Sequence, residues 1–199
     1  MFRFRDGSSH EETTVFSQRG SFRLVHHRLV QKGPTFERQL DLSVDGVSGR
    51  VTVRYTDKGG QEKAETEQLD VPKDLANGMV STLLKNLAPA TRATSLSYVA
   101  ATPKPRLIKL EIKAEGTTTF STAGVRRTAK HYVLEPELGG VAGVVAPIVG
   151  KQPNDSHVWI LEGEAPTFVR SESPLFNGGP IVSIELVSPA WPSATDEPR

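Results

Sequence analysis

The sequence predicts a mainly β fold, a meandering antiparallel sheet curled into an open or closed barrel, with one amphipathic helix on its concave side or end. Apolar and polar residues alternate with period two in segment after segment, as half-buried antiparallel strands do. Short turn signals such as Gly33-Pro34, Asp45-Gly46 and Lys58-Gly59-Gly60 separate those segments. One stretch alone switches to helical spacing. A long twisted meander must curl, close or split, so a two-sheet sandwich is the competing architecture.

The chain opens with Phe2 and Phe4 alternating with Arg3 and Arg5, then Asp6-Gly7, a hairpin turn signal, then a returning strand at Thr13–Phe16. A first arm so short means either a short first strand or natural sequence upstream of Met1, and the second is expected. A long strand follows from about Gly20 to Gln31, with Phe22, Leu24 and Val30 in one parity. Leu40, Leu42 and Val44 alternate with Asp41, Ser43 and Asp45, and Val51, Val53 and Tyr55 with Arg50, Thr52 and Arg54. Leu75, Met79, Leu83 and Leu87 then recur four apart beside Val80 and Leu84, which predicts a helix over 73–88. Asp70 is placed to cap it, Pro72 suits its first turn and Pro89 ends it. Ile108, Leu110 and Ile112 form the next strand, closed by a turn at Glu115-Gly116. Further strands are expected at 129–134, 157–161, 167–172 and 181–187.

The 199 residues suit one domain, expected over 1–192, with a Pro-rich polar tail at 193–199. Twenty-four basic against 23 acidic residues, evenly mixed, carry no nucleic-acid signature. The absence of cysteine excludes disulfides, thiolate catalysis and cysteine-based metal sites. No apolar run reaches the ~18 residues of a membrane-spanning helix.

The longest uncharged stretch, LGGVAGVVAPIVGKQP at 138–153, is not a phosphate loop. The pattern G-x-x-x-x-G-K-S/T would need glycine where Val145 stands and a hydroxyl where Gln152 stands. Its glycines free the backbone while Val141, Val144, Val145 and Ile148 need a dry partner. The stretch either plugs one end of the barrel or forms a lid over an apolar cavity. Trp159 is expected in the core or lining that cavity. Arg170 is expected to pair with Glu172 or Glu185, or to anchor an anionic head group.

Catalytic patterns are thin. No G-x-S-x-G and no HExxH occurs. Asp155 and His157, with Glu162 or His131, are conceivable metal ligands, but His26 and His27 face opposite ways on a strand. Glu162 and Glu164 flank Gly163 and form the one candidate acid–base pair, beside Asp155 and His157. No catalytic residue, cofactor or metal is therefore expected.

The segments LDVPKDLANGMVSTLLKNL, RLIKLEI, GGVAGVVAPIVGKQPNDSHVWILEGEAPTFVRSE and GGPIVSIEL resemble a family of uncharacterised bacterial proteins, over nearly the whole chain from Phe2 to Pro192. The resemblance implies export to the periplasm or cell envelope; with Met1 as the true start the protein would be cytoplasmic. In its order of elements the chain also resembles the half-barrel carriers of lipoprotein localisation, whose curved sheets shelter acyl chains, although those carry several helices. The function expected is a non-catalytic envelope binding or carrier protein for an apolar or lipid-like ligand, with Met79, Leu83, Trp159, Arg170 and the 141–148 apolar residues at its site. A ligand-free structural module and a hydrolase using Asp155, His157, Glu162 and Glu164 are the alternatives.

Overall fold

A computed structural model describes residues 1–122, 125–137, 154–176 and 178–186. The fold is mainly β, as expected, and the meander divides into two six-stranded antiparallel sheets instead of closing into a barrel. The first sheet runs in chain order: β1 (Phe2–Arg3), β2 (Ser9–Arg19), β3 (Ser21–Lys32), β4 (Leu40–Asp45), β5 (Arg50–Thr56) and β6 (Glu62–Gln68). A single short helix, α1 (Val80–Lys85), follows. The second sheet is again a meander: β7 (Ala93–Ala100), β8 (Arg106–Thr122), β9 (Val125–Glu137), β10 (Ser156–Leu161), β11 (Thr167–Pro174) and β12 (Ile181–Glu185).

The alternation read from sequence fixes the inner face of the first sheet. Leu42, Val44, Val51 and Val53 are fully buried, while Asp41 pairs with Arg28 on the other face through hydrogen bonds of 3.0 and 2.8 Å. Burial of each such aliphatic side chain contributes about 1.5–3 kcal/mol. These residues form one core cluster with Leu75, Met79 and Val99. A second cluster joins Leu84 to Ile112, Tyr132, Leu134, Val158 and Ile160 of the second sheet. The segment from Leu75 to Leu87 thus lies between the sheets, Leu75 and Met79 toward the first and Leu84 toward the second.

Three expectations need correction. The helix spans 80–85 and not 73–88. Its apolar stripe is buried as read, but its first two turns are replaced by a strand-like docking onto β7. Leu75 bridges Ser97, the Ala76 N–H donates to the Ser97 carbonyl at 2.9 Å, and the Asn77 side chain exchanges two hydrogen bonds of 2.8 and 2.9 Å with the Val99 backbone. Asn77 thereby stands in for a strand backbone, and the edge of β7 is satisfied without another strand. Gly78 then turns at φ +66°, a conformation that stops the helix from extending backwards. Asp70 caps nothing, since α1 begins ten residues later without a side-chain cap.

Two strands went unread, β6 and β7. β6 (EKAETEQ) is an exposed edge with no apolar alternation, and its charges discourage further pairing. β7 is half small residues, yet Val99 is fully buried. Finally, Glu115-Gly116 is a bulge and not a turn. β8 continues to Thr122, with a register shift between Ala114 and Thr117 and Gly116 at φ +94°.

One end of the inter-sheet gap is closed. Phe36 is buried between Phe4 (5.9 Å) and Phe176 (5.5 Å), and Gln31 Nε2 donates across the gap to the Leu175 carbonyl at 2.7 Å. The β2–β3 turn lies at the other end, which is open.

Candidate functional site

At that open end a cleft of about 690 Å³ enters the gap. Its volume falls within the ~300–1,000 Å³ range of small-molecule sites. Phe22 of β3 forms one wall, Leu96 and Ile112 of β7 and β8 the other, and Met79, Leu83 and Leu87 of the helical segment the floor. Each wall has a local origin. The bulge at Val25 pairs Val15 with His26 but Phe16 with Leu24, so Leu24 packs into the core and Phe22, in its parity, follows it inward. Leu83 and Leu87 sit four apart and share a face. Gln18, Arg23, Lys73, Asp74 and Asn86 add polar groups to the lining.

A second cavity, of about 340 Å³, lies across α1 from the first, touching Gly78, Val80 and Ser81. Glu12 and Tyr98 are in its wall. Beside it His27 is completely buried, with Nδ1 3.0 Å from Thr14 Oγ1 and Nε2 lacking any hydrogen-bond partner. The nearest carboxylate oxygen, Glu12 Oε1, is 3.7 Å away, beyond hydrogen-bond reach. Burial, and next the His26 and His10 imidazoles, hold the His27 pKa down at about 4. Partial desolvation pushes the Glu12 carboxyl up, although its side chain keeps 39% of its exposure. Burial also pushes the Tyr98 phenol up. These groups therefore favour their uncharged forms, as desolvation dictates.

Of the residues singled out in the sequence, Met79 and Leu83 line the main cleft. Trp159 and Arg170 do not join them. Val158 and Ile160 point inward, so Trp159 lies on the outer face of the second sheet. There it stacks on His131 (4.6 Å, 7° between planes), and the Arg170 guanidinium lies 5.3 Å from its ring. Phe168 and Arg170 share a parity but not a face, because β11 slips one residue against β10 between Trp159 and Ile160. Phe168 packs inward while Arg170 pairs with both Glu172 and Glu185, the latter at 3.1 Å. Val141, Val144, Val145 and Ile148 lie outside the described residues, as do Trp191 and the 193–199 tail.

The acid–base candidates are not gathered. Asp155 is exposed just before β10, and Glu162 and Glu164 are exposed just after it. A six-residue strand separates them, roughly 20 Å at ~3.3 Å per residue. His157 is on the outer face with its Nδ1 3.0 Å from His131 Nε2. Among the described residues no group of three or more histidines and carboxylates is placed to hold a metal ion.

The outer-face cluster is separable from the cleft by mutation. Arg170→Gln is expected to cost about 0.5–1 kcal/mol in chemical denaturation, the range of half-exposed ion pairs and cation–π contacts, and to leave apolar probe binding unchanged. A change in probe affinity would tie that face to the cleft.

The residues sequence reasoning missed are Phe22, Leu96, Ile112 and His27. Phe22 and Ile112 carry the ordinary signal of a core strand residue, which says nothing of a cleft, and Leu96 lies in the unread strand β7. His27 was hidden by the bulge at Val25: sequence parity groups Val30 with Phe22 and Leu24, whereas beyond the bulge His27, Leu29 and Gln31 are the buried positions.

A family model described as "Protein of unknown function (DUF3108)" matches residues 1–187. No curated protein and no solved structure matches the chain. Among the described residues no helix is long and apolar enough to cross a membrane. The chain belongs to that DUF3108 family.

Proposed function

We propose that this member of the family is a non-catalytic binding or carrier protein for an apolar or lipid-like ligand, held in the cleft between the two sheets. The single observation that carries the reading is the apolar cleft of about 690 Å³ that the described residues leave between the sheets. Sheets faced with Leu and Val would close on each other if their own side chains filled the gap. Here Leu83 is partly exposed to the cleft, while Met79 beneath it is buried with Leu42, Val44 and Val53 in a dry core. An apolar groove of that size favours an apolar occupant, because a ligand entering it removes its own and the groove's surface from water. The scattered positions of Asp155, His157, Glu162 and Glu164 lend no support to a hydrolase.

The periplasm or cell envelope is the compartment we propose, on the resemblance to exported proteins alone; fractionation of the host tests it.

The function is tested by native mass spectrometry of protein purified from its own host, with titration of a fluorescent apolar probe. A co-purifying lipid, or saturable probe binding, is expected. Leu83→Trp, which puts an indole into the groove, is expected to weaken probe binding at least about tenfold, since the added ring takes the space the ligand needs. A bare protein that also ignores the probe would leave a structural module without a ligand.

A further inference from the structure

We infer that the ligand of this cleft is an anionic amphiphile, its chain lying over Met79 and Leu83 and its head group held at the mouth by Arg23 and Lys73. The inference rests on the carrier reading and adds the chemistry of the head group. The floor and walls of the cleft are hydrocarbon, but its lining includes three charged residues: Arg23, next to the inward-facing Phe22, and Lys73 and Asp74. Asp74 accepts the Ser97 hydroxyl at 3.0 Å through Oδ1 and keeps its negative charge, so the three residues together carry one net positive charge. Arg23 is held only by a 3.2 Å hydrogen bond from Nε to Ser21 Oγ. Among the described residues neither Arg23 nor Lys73 has a carboxylate within 4.0 Å, although Arg28, Lys63, Lys113 and Arg170 all do.

Two cations without an ion-pair partner among the described residues, against the one carboxylate of Asp74, therefore leave a net positive charge along the lining of an apolar groove. A long chain with a negative head satisfies both parts at once. A neutral chain satisfies only the groove, and a cationic one meets repulsion at the mouth. The guanidinium can bind two oxygens of a phosphate or carboxylate side by side, while the ammonium acts as a point charge. Lys73 is exposed and Arg23 half-buried, so their contribution is modest and sensitive to salt.

The test uses three ligands with the same twelve-carbon chain, dodecyl phosphate, dodecanol and dodecylamine, each displacing a neutral fluorescent probe from the full chain. Dodecyl phosphate is expected to bind roughly three- to tenfold more tightly than dodecanol, with dodecylamine weakest, and the spread is expected to shrink as salt is raised. In the R23Q/K73Q double variant, and in part in K73Q alone, the phosphate is expected to lose its advantage over the alcohol. Equal binding of all three ligands would overturn the head-group inference and leave the carrier reading standing. A preference that survives in the double variant would overturn the assignment to Arg23 and Lys73. Displacement by none of them would instead bring down the carrier reading itself.

Discussion

Gly78→Ala is expected to destabilise the protein by about 2–5 kcal/mol, more than any surface substitution would. Two effects add. The backbone at this position has φ +66°, where a side chain costs about 1–2 kcal/mol. The new Cβ would also press against Thr14 Oγ1, well inside van der Waals contact, and stand 2.9 Å from His27 Nδ1. Overpacking of that kind costs a further ~1–3 kcal/mol. The damage should propagate, because Gly78 joins the Asn77 docking on β7 to α1, and α1 supplies the cleft floor. Chemical denaturation reads the loss directly. Thr14→Ala removes the clashing oxygen, so Gly78→Ala should cost less on that background than alone. Wild-type stability in the single variant would show that the segment is free to move and that its conformation is not imposed by the packing.

Acidification is expected to weaken the fold between about pH 6.5 and pH 4. His27 has a folded pKa of about 4 against 6.5 for the free side chain. Within that window the unfolded chain binds the proton and the folded chain does not, so stability falls as pH falls, and it is fully present above pH 6.5. A shift of that size corresponds to about 3 kcal/mol. The groups around His27 modify the slope. His10 is also held down by burial and acts in the same direction. Glu12, whose pKa is raised by desolvation, acts in the opposite direction as it takes up its proton. Thr14 does not titrate, and the His26 imidazole adds repulsion once His27 charges. Urea titrations at several pH values measure the slope, and His27→Gln should flatten it. An identical slope in that variant would mean that other groups carry the acid sensitivity.

The strands that could be read from the sequence are those whose burial is one-sided. In β4 and β5 the buried and wet positions alternate without interruption, so period two maps directly onto Leu40, Leu42, Val44, Val51 and Val53 facing inward. That mapping fails where the environment is not one-sided. β6 has no buried face and so leaves no pattern. β7 buries Val99 in one cluster while Leu96 packs against the other, so it shows no clean alternation either. The apolar stripe of Leu75, Met79, Leu83 and Leu87 named the right residues, all four of which line the cleft, but gave the wrong conformation for its first half. Burial was legible there. The exchange of helix for strand-like docking depends on Asn77 finding the Val99 backbone, a contact across 22 positions.

By itself, then, the sequence determined the fold class, most strand positions and which residues must leave water, because these follow from the local spacing of apolar side chains. Only the tertiary structure decided the division into two sheets, the volume left between them and the face to which a given residue turns. Trp159 and Arg170 show why. A one-residue slip in the pairing of β10 and β11 reverses every side chain beyond it, and parity along one strand carries no record of where its partner slips. The cleft is decided in the same way. Phe22, Leu83, Leu96 and Ile112 come from four separate elements, and whether their side chains meet or leave a gap depends on how far apart the sheets are held. That separation is set by the helical segment between them, so no single stretch of the chain contains it.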